Sequence, residues 1–451
     1  MKNTILLFIL FFTLNASAQV FELVKDINLN GDANPTGMMA FNGKIYFAAN
    51  DNIHGRELWV SDGTNAGTKM LKDINPRGDA NPQYLVEFKG KIYFSAKTTS
   101  NGIELWVSDG TASGTKLFKD IYPGTKSSIP GDFKLDTDKL YFKASNNALG
   151  SELWVSDGTA GGTKIVKDIN PGVASSRVDL LLLSKGKLYF RATHIASGAE
   201  LWESDGTAEG THIVKDIFAG TSSSNPYYAR ELNGKIYFSA DDGTTYGREL
   251  WVTDGTSAGT QLVKDFNPGA GNGFPGSFKE YKGKQYFGAK DSNNNTHLWV
   301  SDGTTEGTKL LKRINSSGSS QVGSYKIVFN NKLFFTATNG IKGVELWRTD
   351  GTSRGTVMLK DINTNGHSEP TYLFIYNKKL YFAAKDAMGN KKLYETDGSR
   401  AGTKSIAPNS ATNTSPIKSF LYKAQLNGSI YFRANFNGKG RELWKYTTPV
   451  R

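Results

Sequence analysis

Hydrophobic and polar positions along this chain alternate in short runs, and the runs recur. The pattern Lys44-Ile45-Tyr46-Phe47 is followed by Glu57-Leu58-Trp59 and then by Leu71-Lys72-Asp73-Ile74, and the trio returns down the chain. The triplet reappears as Glu104-Leu105-Trp106, Glu152-Leu153-Trp154, Glu200-Leu201-Trp202, Glu249-Leu250-Trp251, His297-Leu298-Trp299, Glu345-Leu346-Trp347, Lys392-Leu393-Tyr394 and Glu442-Leu443-Trp444. Its leucines number nine and stand 47 to 50 residues apart. Period-two runs rich in aromatic and β-branched residues predict strands, and the Gly, Asn and Asp between them predict hairpin turns. Helical periodicity is absent.

Each unit reads as four strands. In the second unit these are Tyr84 to Phe88, Ile92 to Ala96, Glu104 to Ser108 and Lys116 to Ile121, with the turn Asp109-Gly110-Thr111-Ala112-Ser113-Gly114-Thr115 before the last. Four antiparallel strands in about 48 residues make a propeller blade, which must stack on neighbours to cover both faces. Phe21 to Asn28 matches a fourth strand with no blade before it, while the unit ending at Trp444 has only three. The orphan strand therefore completes the last blade and closes the ring, removing exposed edges. The expected fold is all-β, a single propeller of about nine blades. An open superhelix and an eight-bladed ring with one unit extruded are the alternatives.

The cleanest units spell Glu-Leu-Trp-Val-Ser-Asp-Gly-Thr-x-x-Gly-Thr-x-x-x-Lys-Asp-Ile-Asn-Pro-Gly, and six carry the full core. That spelling resembles the ELWxxDGT repeat family of exported bacterial proteins, across residues 19–451. The copies at His297 and Lys392 depart from it, and the last lacks the Asp-Gly-Thr turn. The resemblance implies export and repeated β-structure without an assigned activity. Members often carry a C-terminal sorting domain, which is not expected here, seven residues beyond Trp444.

Composition narrows the picture further. Lys2, the apolar run Ile5 to Leu14 and the small residues Ala16-Ser17-Ala18 read as a signal peptide, residues 1–18, with the mature chain starting at Gln19. The run is too short to span a bilayer, so a protein without a transmembrane segment is expected in the periplasm, on the cell surface or outside the cell. Cysteine is absent, which excludes disulfides, thiol nucleophiles and Cys-ligated zinc. The formal charge of +12, or 12 − 1 = +11 without Lys2, is spread over lysines fixed in the repeat. They read as a solvated ring, and nucleic acid is not expected as a partner.

Residues that recur in every unit are expected to build the unit. The tryptophans read as packing between blades. The eight aspartates of the Asp-Gly turns, Asp62 to Asp397, read as turn residues that bond their own backbone. Arg77-Gly78-Asp79 reads as chance, because Asn30-Gly31-Asp32 occupies the same loop one unit earlier. Glu of the third strand and Asp of the fourth appear together, as in Glu57 with Asp73 and Glu104 with Asp120. Where Glu becomes His297 the Asp position holds Arg313, and where it becomes Lys392 it holds Pro408. Opposed carboxylates need a sharing group. A Lys or Arg from a neighbouring blade is the expected one, and a Ca²⁺ held by Glu57, Asp73, Glu104 and Asp120 is the sharper alternative; no other cofactor is expected.

Five histidines lack metal spacing, and no nucleophile elbow, Walker loop or dinucleotide fingerprint occurs. Loop carboxylates such as Asp241, Asp242 and Asp291 leave a glycosidase pair open. The strand alternation puts the short turns on one face and the two longer loops of each unit on the other. Non-repeating residues of those loops are the ligand-face candidates: His54, Tyr122, His194, Phe218, Tyr227, Tyr246, Phe274 and His367. The function expected from sequence is a monomeric, non-catalytic binding or scaffold module for an envelope or extracellular protein or polysaccharide. A carbohydrate-active propeller enzyme is the alternative, and a self-associating matrix filler a third.

Overall fold

The computed structural model describes residues 20–243, 245–408, 413, 416–417 and 422–448; the expected signal peptide lies outside them. Among the described residues thirty-six strands form nine four-stranded antiparallel sheets, eight of them in chain order and the ninth completed by the chain's first strand, arranged as a nine-bladed propeller. Blades are numbered here 1 to 9 by their third-strand leucines, Leu58 to Leu443. In blade 1 the innermost strand is Thr36–Phe41, followed outward by Lys44–Asn50, Arg56–Ser61 and Lys69–Lys72. Val20–Lys25 pairs with Glu442–Thr447, Val20 opposite Thr447 and Leu23 opposite Trp444, so the first strand of the chain finishes blade 9. The superhelix and the eight-bladed ring are thereby excluded, and the described residues contain no helix.

Both faces of every blade are covered, so second strands are apolar on both sides. Ile45, Phe47 and Ala49 alternate with Tyr46 and Ala48, and all five are buried. The cores lie between blades: Trp106 of blade 2 packs with Phe41, Tyr46, Leu58 and Ile74 of blade 1. Tyrosines at the short-turn end tie the seams, Tyr46 Oη donating to Gly110 O at 3.3 Å and Tyr93 Oη to Gly158 O at 3.1 Å. Each Asp-Gly-Thr turn closes on itself, with Asp62 Oδ1 accepting from Thr64 N and Thr64 Oγ1 at 2.9 and 2.7 Å. Gly67 lies so close that a Cβ there would strike the Asp62 carboxylate.

The repeated lysines depart from the expected solvated ring. Lys72 Nζ donates to Thr115 O of the next blade at 2.7 Å, Lys119 to Thr163 O at 2.6 Å and Lys167 to Thr211 O at 2.7 Å. The outer strand of each of these blades is thus strapped to its neighbour's turn, a use of lysine that charge counting cannot see.

The paired acids also find a different partner from the one expected. Glu57 is fully buried; its Oε2 accepts from Ile74 N at 2.8 Å and its Oε1 from Ala80 N at 3.0 Å. Glu442 does the same with Ile27 N and Ala33 N, at 2.9 and 3.0 Å, joining the two ends of the chain. The group that shares the carboxylate is therefore backbone N–H from the loop between blades, not a neighbouring cation. In blade 6 His297 replaces Glu, bonded through Nδ1 to Ser320 Oγ at 3.0 Å and through Nε2 to Arg313 Nη1 at 2.8 Å. In blade 8 Lys392 pairs with Asp386 at 2.7 Å.

Burial pushes these glutamates up, to about 7 for Glu57, Glu152, Glu200, Glu345 and Glu442 and about 8 for Glu249. An acid whose folded pKa lies above its unfolded 4.5 keeps its proton longer when folded, so stability declines as pH rises between the two values. The turn aspartates, held below 3.8 by the Thr hydroxyl and N–H, act oppositely and lose their contribution in stronger acid. The thermal midpoint is expected to peak near pH 4 to 5 and to fall by about 5 °C or more on going to pH 7. Calorimetry across that range checks it, and a midpoint that rises instead would show the glutamates to be ionised throughout.

Candidate functional site at the channel mouth

The eight loop candidates all lie on the long-loop face, but the structure does not gather them. His54 bonds Asp51 in its own loop at 2.7 Å, which raises its pKa. His367 Nδ1 accepts from Val344 N at 2.9 Å, and His194 Nδ1 accepts from Ala196 N at 3.2 Å. Phe218 packs on Gly243, Tyr122 lies under Lys126, Phe274 under Lys290, and Tyr246 N is held by Asp242. These are loop-building roles in separate blades. A shallow cleft of about 420 Å³ between the first loops takes in Arg77, Gly78 and Asp79. Asp79 Oδ1 is already bonded to Arg56 N at 2.6 Å.

Two of the four calcium candidates, Glu57 and Glu104, are spent on the loop, whereas Asp73 and Asp120 each keep one buried oxygen without a hydrogen-bond partner. Glu104 receives Ile121 N, Ser128 N and Ser128 Oγ, at 2.8, 2.9 and 2.6 Å, and Glu57 has both oxygens on N–H groups. Among the described residues no three metal-binding side chains gather at Glu57, Asp73, Glu104, Asp120 or elsewhere.

Tyr227 is the exception, because it belongs to a cluster where the innermost strands begin. These strands line the channel, and several open with a bulge whose second residue has a left-handed backbone. Gly37 takes φ 64° there, and Tyr84, Tyr228 and Tyr372 take 57°, 58° and 58°. Register slips at the same places, between Gln83 and Val86, Tyr227 and Arg230, and Thr371 and Phe374. The three tyrosines belong to blades 2, 5 and 8, one in every third blade. Tyr84 and Tyr228 are about half exposed, at 47% and 54%. Their rings lie over Gly131 and Gly276 of the following blade, where a Cβ would press on them, and Tyr372 meets Tyr325 at 5.5 Å. A left-handed backbone suits glycine and costs a tyrosine on the order of 1 kcal/mol or more.

Beside this collar stand arginines on the second and third strands. Arg191 and Arg248 both lie over the Tyr227 ring, at 4.2 and 5.4 Å, and Tyr227 and Tyr228 are 6.4 Å apart. Arg248 Nη1 donates to Asn225 O at 2.6 Å and Arg191 Nη2 pairs with Asp179 at 3.2 Å. Sequence reasoning overlooked these residues because it sought function in loops. Its available signal was the set of columns within the strands where one unit breaks the pattern of the rest.

Blade 6 also holds a Ser, a His and an Asp in contact, and the bonds define its role. Arg313 can only donate, so His297 Nε2 accepts and Nδ1 carries the proton toward Ser320 Oγ. Ser320 in turn accepts from Asn315 N at 3.0 Å and is fully buried. A neutral histidine pointing its proton at a buried hydroxyl is no base for that hydroxyl. The trio anchors a loop as the glutamates do elsewhere.

No protein-family model and no curated protein matches the chain. Solved structures do match in shape. A puromycin hydrolase shares 12% identity over 80% of this chain and 61% of its own, with a TM-score of 0.38. A prolyl endopeptidase shares 11% over 79% and 55%, with a TM-score of 0.44. A puromycin-hydrolyzing peptidase of Mycobacterium tuberculosis shares 9% over 78% and 57%, with a TM-score of 0.39. The chain thus spans about 55 to 61% of the length of these structures. At these identities the likeness is of fold alone. The structures retrieved are peptidases, neither the non-catalytic envelope module nor the carbohydrate-active enzyme expected from sequence, and both expectations are withdrawn, the absence of catalysis included.

Two outcomes follow for the acidic residues. Added Ca²⁺ is expected to leave the thermal midpoint unchanged, since Glu57 and Glu104 are committed to the loop and, among the described residues, no group of three metal-binding side chains forms. Glu104→Ala is expected to cost about 2 to 3 kcal/mol in denaturant unfolding by orphaning buried N–H groups. A calcium-dependent rise in the midpoint, or a neutral Glu104→Ala, would refute the loop-anchoring role.

Proposed function

We propose that this chain engages its ligand at the mouth of the central channel on the long-loop face, in the collar formed by Tyr84, Tyr228 and Tyr372. The carrying observation is the left-handed backbone of these three residues. The bulge itself belongs to the blade, and Gly37, Asp132 and Ser277 make it at φ 64°, 57° and 55° with small or polar side chains. Folding does not require an aromatic ring at this point. Strain retained at a half-exposed ring beside a channel is the mark of a site in use, where the side chain's work outweighs the backbone cost. Phenol rings at that depth offer a flat apolar surface and a hydroxyl, fitting a ligand with a planar or aliphatic body and a polar end.

The test separates stability from recognition. Tyr84, Tyr228 and Tyr372 are changed together to Gly, and the full chain is screened by saturation-transfer NMR against short peptides and small organic acids. The triple variant is expected to keep its stability to within about 1 kcal/mol per site, strain relief offsetting lost packing, while ligands found with the natural chain cease to bind. Product signals in the same spectra read turnover directly. Unchanged ligand signals in a folded triple variant would refute the collar.

A further inference from the structure

We infer that the ligand of the tyrosine collar is an organic anion whose carboxylate is gripped by paired arginines at two seams on opposite sides of the channel mouth. The inference rests on the collar reading and adds the class of ligand. The second-strand residue opposite the third-strand leucine and the residue that opens the next blade's third strand form two columns of the repeat, and at the Arg191 seam both lie over the ring of Tyr227. Four seams carry no charge in these two columns, such as Ala48 with Ile103 and Gly288 with Val344, and three carry one cation, Lys143, Lys391 or Arg441. Two seams break the pattern with two arginines each. Arg191 of blade 4 is matched with Arg248 of blade 5, and Arg433 of blade 9 with Arg56 of blade 1. Five blades separate these seams one way round the ring and four the other.

Each seam holds fewer carboxylates than guanidinium groups: Asp179 pairs with Arg191 Nη2 at 3.2 Å at the first, and Asp32 with Arg441 at the second. At the first, two guanidinium groups share the face of Tyr227, and Arg191 Nη1 is enclosed without a hydrogen-bond partner. At the second, Arg56 is spent on backbone, donating to Asn34 O and Ala48 O at 2.9 and 3.0 Å, and Arg441 is spent on Asp32 at 2.7 Å. Arg433 lies within electrostatic reach of both and has the ring of Tyr422 at 5.8 Å. Among the described residues its guanidinium has no hydrogen-bond or ion-pair partner, while its backbone is paired opposite Leu443. Like charges held together in partial burial repel, and a planar oxyanion relieves the repulsion while satisfying the free N–H groups in a fork. Tyr228 adjoins the first seam, and the Tyr372 phenol acts electrostatically on Arg433 at the second. A ligand stacked on the collar therefore carries its acid end to an arginine pair.

The probes are N-benzoylglycine and its amide, with a short peptide bearing a free carboxyl terminus and its amidated form. Binding is measured by titration calorimetry on the full chain and on Arg191→Gln, Arg433→Gln and the triple tyrosine variant. The acids are expected to bind at least about tenfold more tightly than the amides, and each arginine change to abolish that preference while leaving amide binding alone. Rising salt is expected to weaken the acids only. Peptide against benzoyl acid tells which source of carboxylate the mouth favours. Equal binding of acid and amide, or acid preference surviving in both arginine variants, overturns the inference and leaves the collar standing. Acid preference lost with the arginines but untouched by the tyrosine variant instead removes the collar reading. Among the described residues the Arg433 guanidinium has no hydrogen-bond partner, so its variant is the one expected to fold should Arg191→Gln not.

Discussion

A buried carboxylate on the third strand sets the geometry of almost every blade. It reaches the N–H groups of residues 17 and 23 or 24 positions ahead, as Glu57 does with Ile74 and Ala80. Those two groups bracket the loop that leaves one blade and opens the innermost strand of the next. Fixing the loop fixes where each innermost strand begins, and so the outline of the channel mouth. The carboxylate is costly to bury, and the N–H groups offset that cost only where the loop has the right shape. The substitutes confirm that an anchor is what matters. Blade 6 holds its loop with His297 and Ser320, and blade 9 reaches across the chain ends from Glu442 to Ile27 and Ala33.

The opposite face is organised by self-contained turns and straps. Asp62, Thr64 and Thr68 close one turn internally, and lysines such as Lys72 bind the carbonyl of the next. Most blades therefore meet the next at three depths: a lysine strap outside, a tryptophan-centred core between the sheets, and an anchored loop toward the channel. All three are repeated around the ring and absorb most of the residues the repeat conserves within this chain. What remains unabsorbed is concentrated at the mouth.

Much of this was legible in the repeat. Four strands in about 48 residues, a missing last strand and an unmatched first one define a closed ring of nine, and the tryptophans packed as their spacing implied. The coupled loss of Glu and its Asp at His297 and Lys392 also marked a real structural unit. The partner was misread because backbone N–H groups leave no trace in a sequence, and the lysine straps end on carbonyl oxygens for the same reason. The site was misread for a different cause. Tyr84 and Tyr228 sit in strands whose alternation looks ordinary, and only the three-dimensional bulge shows that their backbones are left-handed. Arg191 and Arg433 were visible as departures within a strand column, but a search confined to loops passes over strands.

The mouth carries costs that the ring does not need. Three tyrosines in left-handed backbone stand to cost about 1 to 2 kcal/mol each, against a net stability for folded domains of about 5 to 15 kcal/mol. Two arginine pairs add repulsion at their seams, whereas other units place uncharged residues such as Ala48 and Ile103 in the same columns. Repetition offers a ready alternative at each place, since Gly37 makes the same bulge with the residue that suits it best. A chain that carries the better solution in a neighbouring blade and does not copy it is under a second constraint. Strain and repulsion meet around one opening, where Tyr227 is stacked by Arg191 and Arg248 and adjoins Tyr228. A constraint acting on that opening from outside the fold, through a bound ligand, explains both departures together, whereas folding alone explains neither.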